Sequence, residues 1–455
     1  MNDSTIAAIS TPNAPGGIGI IRISGPQAVE IASAVFKKID GKPLEESKGY
    51  RAHYGYVICD GKKADEAVTV VYRAPHSYTG EDVAEICCHG GLYITKQVLR
   101  AAIEAGAVPA QAGEFTKRAF LNGKIDLAES ESVMSLISAS GKKAAAAAVS
   151  TLEGKLSREI GKCCEKITSV CASLAAWVDY PDEDIEEIGT DEMLEIFKEV
   201  KADLEDIVAR YDSGRAVTDG VDTVIVGKPN VGKSAIMNML TGFDRSIVTE
   251  FAGTTRDVVE EKIVLGDIIL RVADTAGIHE TDNAVENIGV ELAKKRLERA
   301  DLVLAVFDGS QPLSGEDYEI IKNCAGKKKV AIINKADLPQ ADIGKEIEKE
   351  FDCVTALSAL TGKGAGELEK TVSAVLMTGN FDPDAACLTG ERQRNCCIKA
   401  VKCLEECIDG LNEGVTLDAV NVCADSAIDA LLELTGEKAA AAVVDEVFSK
   451  FCVGK

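Results

Sequence analysis

The chain has 455 residues, of which 46% are hydrophobic; this suits about three domains with buried cores and excludes a disordered protein. A formal net charge of −24 repels nucleic acid over most of the surface, so RNA would need a local basic patch or a more basic partner. No apolar run approaches the roughly 20 residues that cross a bilayer, and residues 1–5 do not resemble a secretory signal. Together with fifteen cysteines, an odd number, this predicts a reduced, cytoplasmic protein.

Short strands and helices alternate irregularly in residues 1–118, as in an α+β domain. Apolar and β-branched runs predict strands at 18–25, 68–72 and 84–88, and helical spacing predicts a helix over 91–105 that ends at Gly106. The glycines at 16, 17 and 19 do not form a dinucleotide-binding G-x-G-x-x-G pattern, because Arg22 occupies the last glycine position. We interpret them as a turn that leads into a strand.

The pattern from 119 to 216 is helical. Apolar residues recur every three or four positions between Leu194 and Val208, and the breaker cluster at 212–214 predicts the end of that helix. Strands and helices alternate over 217–378, and helical spacing returns over 396–411 and 417–451. This order predicts a P-loop-type α/β domain (217–378) inserted into a helical domain that consists of 119–216 and 379–455.

Cysteines are concentrated in the helical segments, at 163, 164 and 171 and at 396, 397, 403 and 407. They lack a C-x-x-C spacing and a nearby histidine, so metal binding is disfavoured. We predict that these small side chains pack helices together.

The phosphate-loop pattern G-x-x-x-x-G-K-[ST] is complete at residues 227–234. A predicted strand at 223–226 precedes it and a predicted helix at 235–240 follows, which disfavours an ordinary glycine turn. A loop in this context directs backbone N–H groups and a helix N-terminus at an anion. Lys233 then reaches the β- and γ-phosphates, and the Ser234 hydroxyl can bind Mg²⁺.

Two further motifs can contact the metal and the γ-phosphate. The segment 253–257 contains Thr255, whose hydroxyl could complete the Mg²⁺ shell. The segment Asp274-Thr275-Ala276-Gly277 follows a predicted strand at 268–272. There Asp274 can hold the metal through water, and Gly277 allows the backbone to approach phosphate closely.

Two motifs at later strand ends select the base. In Asn334-Lys335-Ala336-Asp337 the Asp337 carboxylate can accept hydrogen bonds from N1–H and the exocyclic amine of guanine, which adenine does not offer. A backbone N–H of Ser358-Ala359 would face guanine O6. Five motifs in this order predict a GTPase and favour GTP over ATP.

The residue after Gly277 is Ile278, where Ras-like enzymes carry a glutamine that orients the attacking water. An apolar side chain cannot polarise water, so hydrolysis needs another carboxylate, an ion or help from a second chain. Sequence physics alone does not rank the acidic candidates in the next segment, which are Glu280, Asp282, Glu286 and Glu291.

These motifs, with several flanking segments, resemble the MnmE/TrmE family of tRNA-modifying GTPases over essentially the whole chain. The segments that carry the resemblance outside the GTPase motifs are 6–9, 16–25, Tyr78-Thr79-Gly80-Glu81-Asp82, 113–124 (GEFTKRAFLNGK) and 451–455 (FCVGK). The chain departs from the family at His279, where a basic residue is frequent, and at 11–15, which lack the usual Gly and Arg.

For the N-terminal domain, the resemblance implies a homodimer and a fold similar to folate-binding one-carbon enzymes. The expected ligand is a 5,10-methylene- or 5-formyl-tetrahydrofolate. The positions that match the family's folate site are Arg22, Glu81, Lys124 and Lys455. A basic side chain there can pair with the glutamyl carboxylate, and a carboxylate can bind the pterin N–H edge. Cys452 matches a functionally important family cysteine, although a buried helical role is the alternative.

For the inserted GTPase domain, the resemblance implies that Glu286 orients the water. It also implies a K⁺ ion held by Asn230 and the segment 249–254, with Thr249, Phe251 and Thr254 as the expected ligands. Such an ion would replace an arginine finger. The full set of predicted GTP contacts is Asn230, Val231, Gly232, Lys233, Ser234, Ala235, Thr249, Glu250, Phe251, Ala252, Gly253, Thr254, Thr255, Asp274, Thr275, Ala276, Gly277, Asn334, Lys335, Asp337, Ser358 and Ala359.

The resemblance further implies a flavoprotein partner of the MnmG/GidA type that carries FAD. Together the two proteins would modify C5 of the wobble uridine of certain tRNAs with a folate-derived carbon. Two alternatives are a ribosome-assembly GTPase and a folate-dependent one-carbon enzyme regulated by GTP. A ribosome-assembly GTPase would favour a basic domain after the GTPase domain, whereas residues 380–455 are acidic. A folate-dependent one-carbon enzyme would need a catalytic nucleophile or base, and none is evident in the sequence.

Overall fold

The computed structural model describes residues 4–179, 189–218, 220–243, 260–273, 297, 299–376 and 382–455. The chain divides into two compact units: unit 1 consists of residues 1–134 and 425–455, and unit 2 of residues 135–424. In the described ranges, no helix combines the length and hydropathy that a membrane span requires. The three domain boundaries expected from the sequence stay a prediction.

The described strands and helices follow one another along both units. The strands are β1 (Ile6–Ile9), β2 (Ile18–Ser24), β3 (Phe36–Lys38), β4 (Arg51–Cys59), β5 (Lys62–Tyr72), β6 (Val83–His89), β7 (Val108–Pro109), β8 (Val221–Val226), β9 (Glu260–Leu265), β10 (Ile268–Ala273), β11 (Leu302–Asp308), β12 (Lys329–Asn334) and β13 (Val354–Ala356). The helices are α1 (Ala28–Val35), α2 (Leu92–Glu104), α3 (Glu114–Leu121), α4 (Leu127–Ser138), α5 (Lys142–Leu152), α6 (Lys155–Asp179), α7 (Thr190–Thr218), α8 (Lys233–Phe243), α9 (Gly315–Asn323), α10 (Gly344–Ile347), α11 (Ala365–Val375), α12 (Glu391–Glu413), α13 (Leu417–Thr435) and α14 (Ala441–Ser449).

Unit 1 is built on a seven-stranded sheet with the strand order β3-β4-β5-β6-β2-β1-β7. Its neighbouring strands are antiparallel except β1 and β7. Alternate residues of β2, including Ile21 and Ile23, join a core with Val98 and Ala102 of α2. The predicted helix over 91–105 is confirmed, and it ends where Gly106 adopts a φ of 116°. The mixture of strands and helices confirms the predicted α+β character.

Unit 2 contains a six-stranded sheet with the order β13-β12-β11-β8-β10-β9, in which only β9 runs antiparallel to its neighbour. All seven residues of β11 are buried. Alternate residues of this strand enter two different cores, Leu304 and Val306 on one side and Ala305 and Phe307 on the other. Burial of both faces is the expected property of a parallel α/β sheet, so the predicted alternation is confirmed.

One predicted helix boundary in unit 2 was wrong, since helix α7 continues through 212–214 to Thr218. The predicted helix at 235–240 is confirmed as part of α8, which includes Gly242. A glycine inside a helix costs only about 1 kcal/mol, and tertiary packing can outweigh that cost. In α7 the buried side chains of Tyr211, Ala216 and Val217 supply such packing.

The cysteine groups of the helical region lie mainly in helix–helix packing. Cys163, Cys397 and Cys407 are buried, and this burial raises their pKa to about 11, 12 and 12 respectively. Thiols with such pKa values stay protonated at neutral pH and are poor metal ligands and nucleophiles. Their burial agrees with the prediction that they pack helices.

Candidate functional sites

The phosphate loop lies where the sequence predicts it, between β8 and the first residue of α8. Two of its residues adopt left-handed backbone conformations, Asn230 with a φ of 67° and Gly232 with a φ of 99°. A Cβ on Gly232 would collide with Nδ2 of Asn334, and a Cβ on Gly227 would lie 2.6 Å from the carbonyl oxygen of Val306. Only glycine allows this approach, which curls the loop around the N-terminus of α8.

The ammonium group of Lys233 closes the loop. Its Nζ donates to the carbonyl oxygens of Gly227 at 2.7 Å and Lys228 at 2.9 Å. Burial lowers the pKa of Lys233, since a charged amine is poorly solvated there. A phosphate oxyanion would restore favourable electrostatics, so the lysine is suited to bind one. The neighbouring Ser234 and Ala235 are exposed in the first turn of α8, where the helix dipole favours an anion.

The base-selecting motif is tied directly to the phosphate loop. The buried Asn334 side chain donates from Nδ2 to the Val231 carbonyl at 2.8 Å, and its Oδ1 accepts from the Ala359 N–H at 3.0 Å. Ser358 Oγ donates to Asp337 Oδ1 at 2.6 Å, which orients the exposed Asp337 carboxylate. The residues predicted to bind base and phosphate are therefore brought together at the carboxyl ends of β8, β12 and β13.

Two buried carboxylates behind this site were missed by the sequence reasoning. Asp308 accepts a hydrogen bond from Lys335 Nζ at 2.6 Å, and Asp317 accepts one from Lys228 Nζ at 2.7 Å. Asp308 follows six apolar residues of β11, so the logic of strand ends applied to the other motifs could have found it. Asp317 lies in the first turn of α9 and forms a capping box with Ser314, so the S-x-x-D spacing of 314–317 was its signal in the sequence.

The remaining GTP-site predictions lie outside the described residues. They comprise Thr249, Glu250, Phe251, Ala252, Gly253, Thr254, Thr255, Asp274, Thr275, Ala276, Gly277 and Glu286. His279, a departure from the family, lies outside them as well.

Unit 1 contains a second cluster of charged side chains, formed by Arg22, Glu81, Glu85, Arg118 and Lys455 and called the charged cluster below. Arg22 of β2 donates from Nε to Glu85 Oε1 at 2.8 Å and from Nη1 to the carbonyl oxygen of Gly454 at 3.3 Å. Arg22 and Glu85 are direct register partners on β2 and β6, which explains the first contact. The second contact brings residues 432 positions apart in the sequence into one site.

Lys455 adds a second cation beside Arg22. Burial, and then the positive charge of Arg22, lower the pKa of the half-buried Lys455. The ring of Tyr78 lies 5.5 Å from the guanidinium carbon of Arg22, and the ring of Phe115 lies 5.6 Å from it. Phe115 is fully buried, whereas Tyr78 is partly exposed, so two adjacent cations beside the Tyr78 ring suit a ligand with a carboxylate and a flat ring.

The carboxylate of Glu81 is fixed from behind. It accepts from Ser24 Oγ at 2.8 Å and from Arg118 Nη1 at 3.2 Å to each oxygen. Arg118 is 5% exposed and also donates to Glu114 Oε1 at 2.9 Å. Arg118 was not predicted, although it lies within the segment 113–124 that carries the family resemblance.

The fourth predicted folate residue, Lys124, lies at the edge of this region. It is exposed, and its Nζ donates to the Pro75 carbonyl at 3.2 Å. Its side chain also packs near Gly80, whose Cβ position lies 3.3 Å from Lys124 Cγ. Lys124 therefore lies beside the segment 78–82, which contains Glu81.

Comparisons with known proteins identify the family of the chain. The protein-family model described as "GTP-binding protein TrmE N-terminus" matches residues 5–124, and the family model described as "MnmE helical domain" matches residues 127–452. The tRNA modification GTPase MnmE of Thermoanaerobacter pseudethanolicus is 39% identical over 99% of both chains, and that of Acetivibrio thermocellus is 40% identical over 100% of this chain and 99% of its own. The chain belongs to the MnmE family of tRNA modification GTPases.

Membership of the MnmE family confirms the predicted family, the multidomain fold class and the class of enzyme, a GTP hydrolase. It also favours this class over a ribosome-assembly GTPase or a GTP-regulated folate enzyme. Among solved structures, Era of Aquifex aeolicus is 32% identical over 40% of this chain and 66% of its own, with a TM-score of 0.27.

Proposed function

We propose that this chain hydrolyses GTP as one step of tRNA modification, with a folate-derived carbon and a flavoprotein partner. The single observation that carries the GTPase part is the double anchoring of Asn334, to Val231 in the phosphate loop and to Ala359 beside the base motif. This link fixes the base and phosphate subsites relative to each other before the nucleotide binds. A site that is already ordered loses less entropy on binding, which increases its affinity for the nucleotide.

In this proposal the triphosphate occupies the loop around Lys233. The Lys233 ammonium moves from the loop carbonyls to the β- and γ-phosphates, and Asp337 binds guanine. Mg²⁺ is held by the exposed hydroxyl of Ser234 and by Thr255, and it would neutralise charge on the phosphate oxygens.

K⁺ is the proposed activating ion. Asn230 is exposed on the loop in a left-handed conformation, which suits a side-chain ligand beside the phosphates. Thr249, Phe251 and Thr254 are the other proposed ligands, and Glu286 is proposed to orient the attacking water. Hydrolysis then needs no glutamine at Ile278.

The charged cluster is proposed to bind a 5,10-methylene- or 5-formyl-tetrahydrofolate. Its donor set fits such a ligand: Arg22 and Lys455 offer cations for the glutamyl carboxylate, Glu81 offers a preoriented acceptor for the pterin N–H edge, and Lys124 lies at the rim. Bound there, the folate would supply the one-carbon unit for the modification.

The remaining parts of the proposal concern assembly. The N-terminal domain (1–118) forms the homodimer, the helical domain consists of 119–216 and 379–455, and the GTPase domain is 217–378. An MnmG/GidA-type flavoprotein supplies FAD and much of the RNA surface, since a chain of net charge −24 repels tRNA. The proposed substrate is C5 of the wobble uridine of certain tRNAs, as the family resemblance implies. The relatives are tRNA modification GTPases, which supports tRNA as the substrate.

The decisive experiment is mass analysis of wobble uridine in tRNA from cells that lack this protein. We expect the C5 modification to disappear and to return when the unaltered chain is supplied. Supplying Glu286→Ala instead separates GTP binding from hydrolysis: we expect GTP to bind, while hydrolysis and the modification are lost. Unchanged nucleosides in the deletion strain would refute the tRNA assignment.

The ion is tested on the purified chain by comparing GTP hydrolysis in K⁺ and Na⁺ at equal ionic strength. We expect faster hydrolysis in K⁺. Equal rates would remove the potassium ion from the mechanism and leave the GTPase assignment intact.

A further inference from the structure

Asp308 is a buried carboxylate at the carboxyl end of β11, with 6% of its surface exposed. Three donors hold it: Lys335 Nζ at 2.6 Å, Ser310 Oγ at 2.6 Å and the Ser310 N–H at 3.0 Å. Although burial opposes ionisation, the hydrogen bonds from Lys335 and Ser310 hold the pKa of Asp308 below its usual value. A charged carboxylate kept at such a depth needs a partner, and Lys335 is that partner.

The partner lysine is itself constrained. Lys335 has a φ of 65°, a conformation that costs free energy for any residue with a Cβ. Its carbonyl accepts from Gln340 Nε2 at 2.8 Å and from the Leu338 N–H at 3.0 Å. With the backbone fixed at one end and Nζ fixed at Asp308, the side chain of Lys335 has little freedom.

Strand order places this ion pair beneath the nucleotide. Asp308 and Asn334 are direct register partners at the ends of β11 and β12, and β11 lies between β12 and β8. The base motif follows β12 and the phosphate loop follows β8. A nucleotide that reaches both must cross the end of β11, where the four-carbon stem of Lys335 runs toward Asp308.

We propose that Asp308 is a positioning residue for guanine nucleotides, which holds the Lys335 stem as the floor of the nucleoside site. Asp308 acts through Lys335 and does not touch the nucleotide. It also neutralises the ammonium charge, so the stem presents an apolar surface to the nucleoside. This assignment rests on the proposed binding of GTP by the chain.

The test is a double-mutant cycle on the full chain, with GDP binding measured by calorimetry. Asp308→Asn keeps the shape but removes the charge, and we expect the Kd for GDP to rise about tenfold. In the Lys335→Met background the same change should alter Kd by less than about twofold, because its partner is already absent. In hydrolysis assays KM should rise with little change in kcat, because GTP and its transition state lose the same contact.

The matched control is Asp222→Asn, which removes a carboxylate paired with Arg271 at 2.6 Å at the amino end of the same sheet. We expect its Kd for GDP to equal that of the unaltered chain. If Asp308→Asn does not fold, Ser310→Ala replaces it, with an expected rise of about two- to threefold that also vanishes beside Lys335→Met.

An unchanged Kd in the Asp308 or Ser310 variant, or a full effect that persists in the Lys335→Met background, overturns the positioning role. Either result leaves the GTPase proposal standing, because the unaltered chain still binds GDP. Failure of the unaltered chain to bind GDP overturns the GTPase proposal and this role with it.

Discussion

The nucleotide site of unit 2 and the charged cluster of unit 1 are both suited to anions, but they achieve it with different atoms. The phosphate loop relies on the main chain, with left-handed residues at Asn230 and Gly232 and a helix N-terminus behind them. The charged cluster relies on side chains, chiefly Arg22 and Lys455, which come from opposite ends of the sequence. A main-chain site therefore requires a short continuous motif, whereas a side-chain site requires only that the fold bring residues together.

The comparison predicts that the charged cluster depends on buried ion pairs for stability, and Arg118 gives the largest expected effect. Arg118→Met leaves Glu81 and Glu114 without their buried cation, which should destabilise unit 1 by about 3–5 kcal/mol. Amide hydrogen exchange in β2 and β6 should accelerate by roughly two to four orders of magnitude.

Arg100→Met is the matched control for that substitution, since Arg100 forms an exposed pair with Glu104 in the same unit. We expect no change in the exchange of β2 and β6. Similar exchange in Arg118→Met and Arg100→Met would show that the buried network does not stabilise the cluster.

The nucleotide site should instead be sensitive to a single added methyl group. Gly232→Ala forces a Cβ into a residue with a φ of 99° and against Asn334, so we expect roughly 100-fold weaker GTP binding by calorimetry. Gly242→Ala in α8 meets no atom within 4 Å and should stabilise the helix by about 0.5–1 kcal/mol without weakening GTP. Normal GTP affinity in Gly232→Ala would contradict the main-chain account.

The smallest expected effect is one that the two sites share. Burial lowers the pKa of Lys233 and of Lys455, and a bound anion raises each pKa again. At alkaline pH, binding of GTP or of 5-formyl-tetrahydrofolate should therefore be accompanied by the uptake of less than about one proton. The affinity for each ligand should fall as the pH rises through the pKa of the lysine in the unliganded site. Calorimetry at pH 9 or above in two buffers of different ionisation enthalpy measures this uptake.

For the folate-type ligand, Lys455→Arg provides the control. Arginine does not titrate in this range, so the proton uptake should vanish while binding is retained. Uptake that persists in Lys455→Arg would assign the titration to another group.

Reasoning from the residues alone located the phosphate loop and the base motif among the described residues, but it located no member of the charged cluster. The loop at 227–234 and the Asn334 motif lie at strand ends as predicted, because each requires particular backbone conformations over adjacent residues. Arg22, Glu81, Lys124 and Lys455 were found through the family resemblance, and nothing in their own surroundings marks them. Arg118 was missed, since its burial is recognisable only when its partners are known. Asp308 was missed although its place after six apolar residues of β11 marks a strand end.

The sequence by itself determined the periodicities, the glycines at constrained turns and the order of the GTPase motifs, because these are local properties of the backbone and of adjacent side chains. The tertiary structure alone decided that α7 continues through 212–214, that Gly454 accepts from Arg22 and that Asp308 holds Lys335. Each of these depends on burial and on contacts between distant segments. The free energy of such contacts is set by which residues the fold brings together, and a pattern along the chain does not record it.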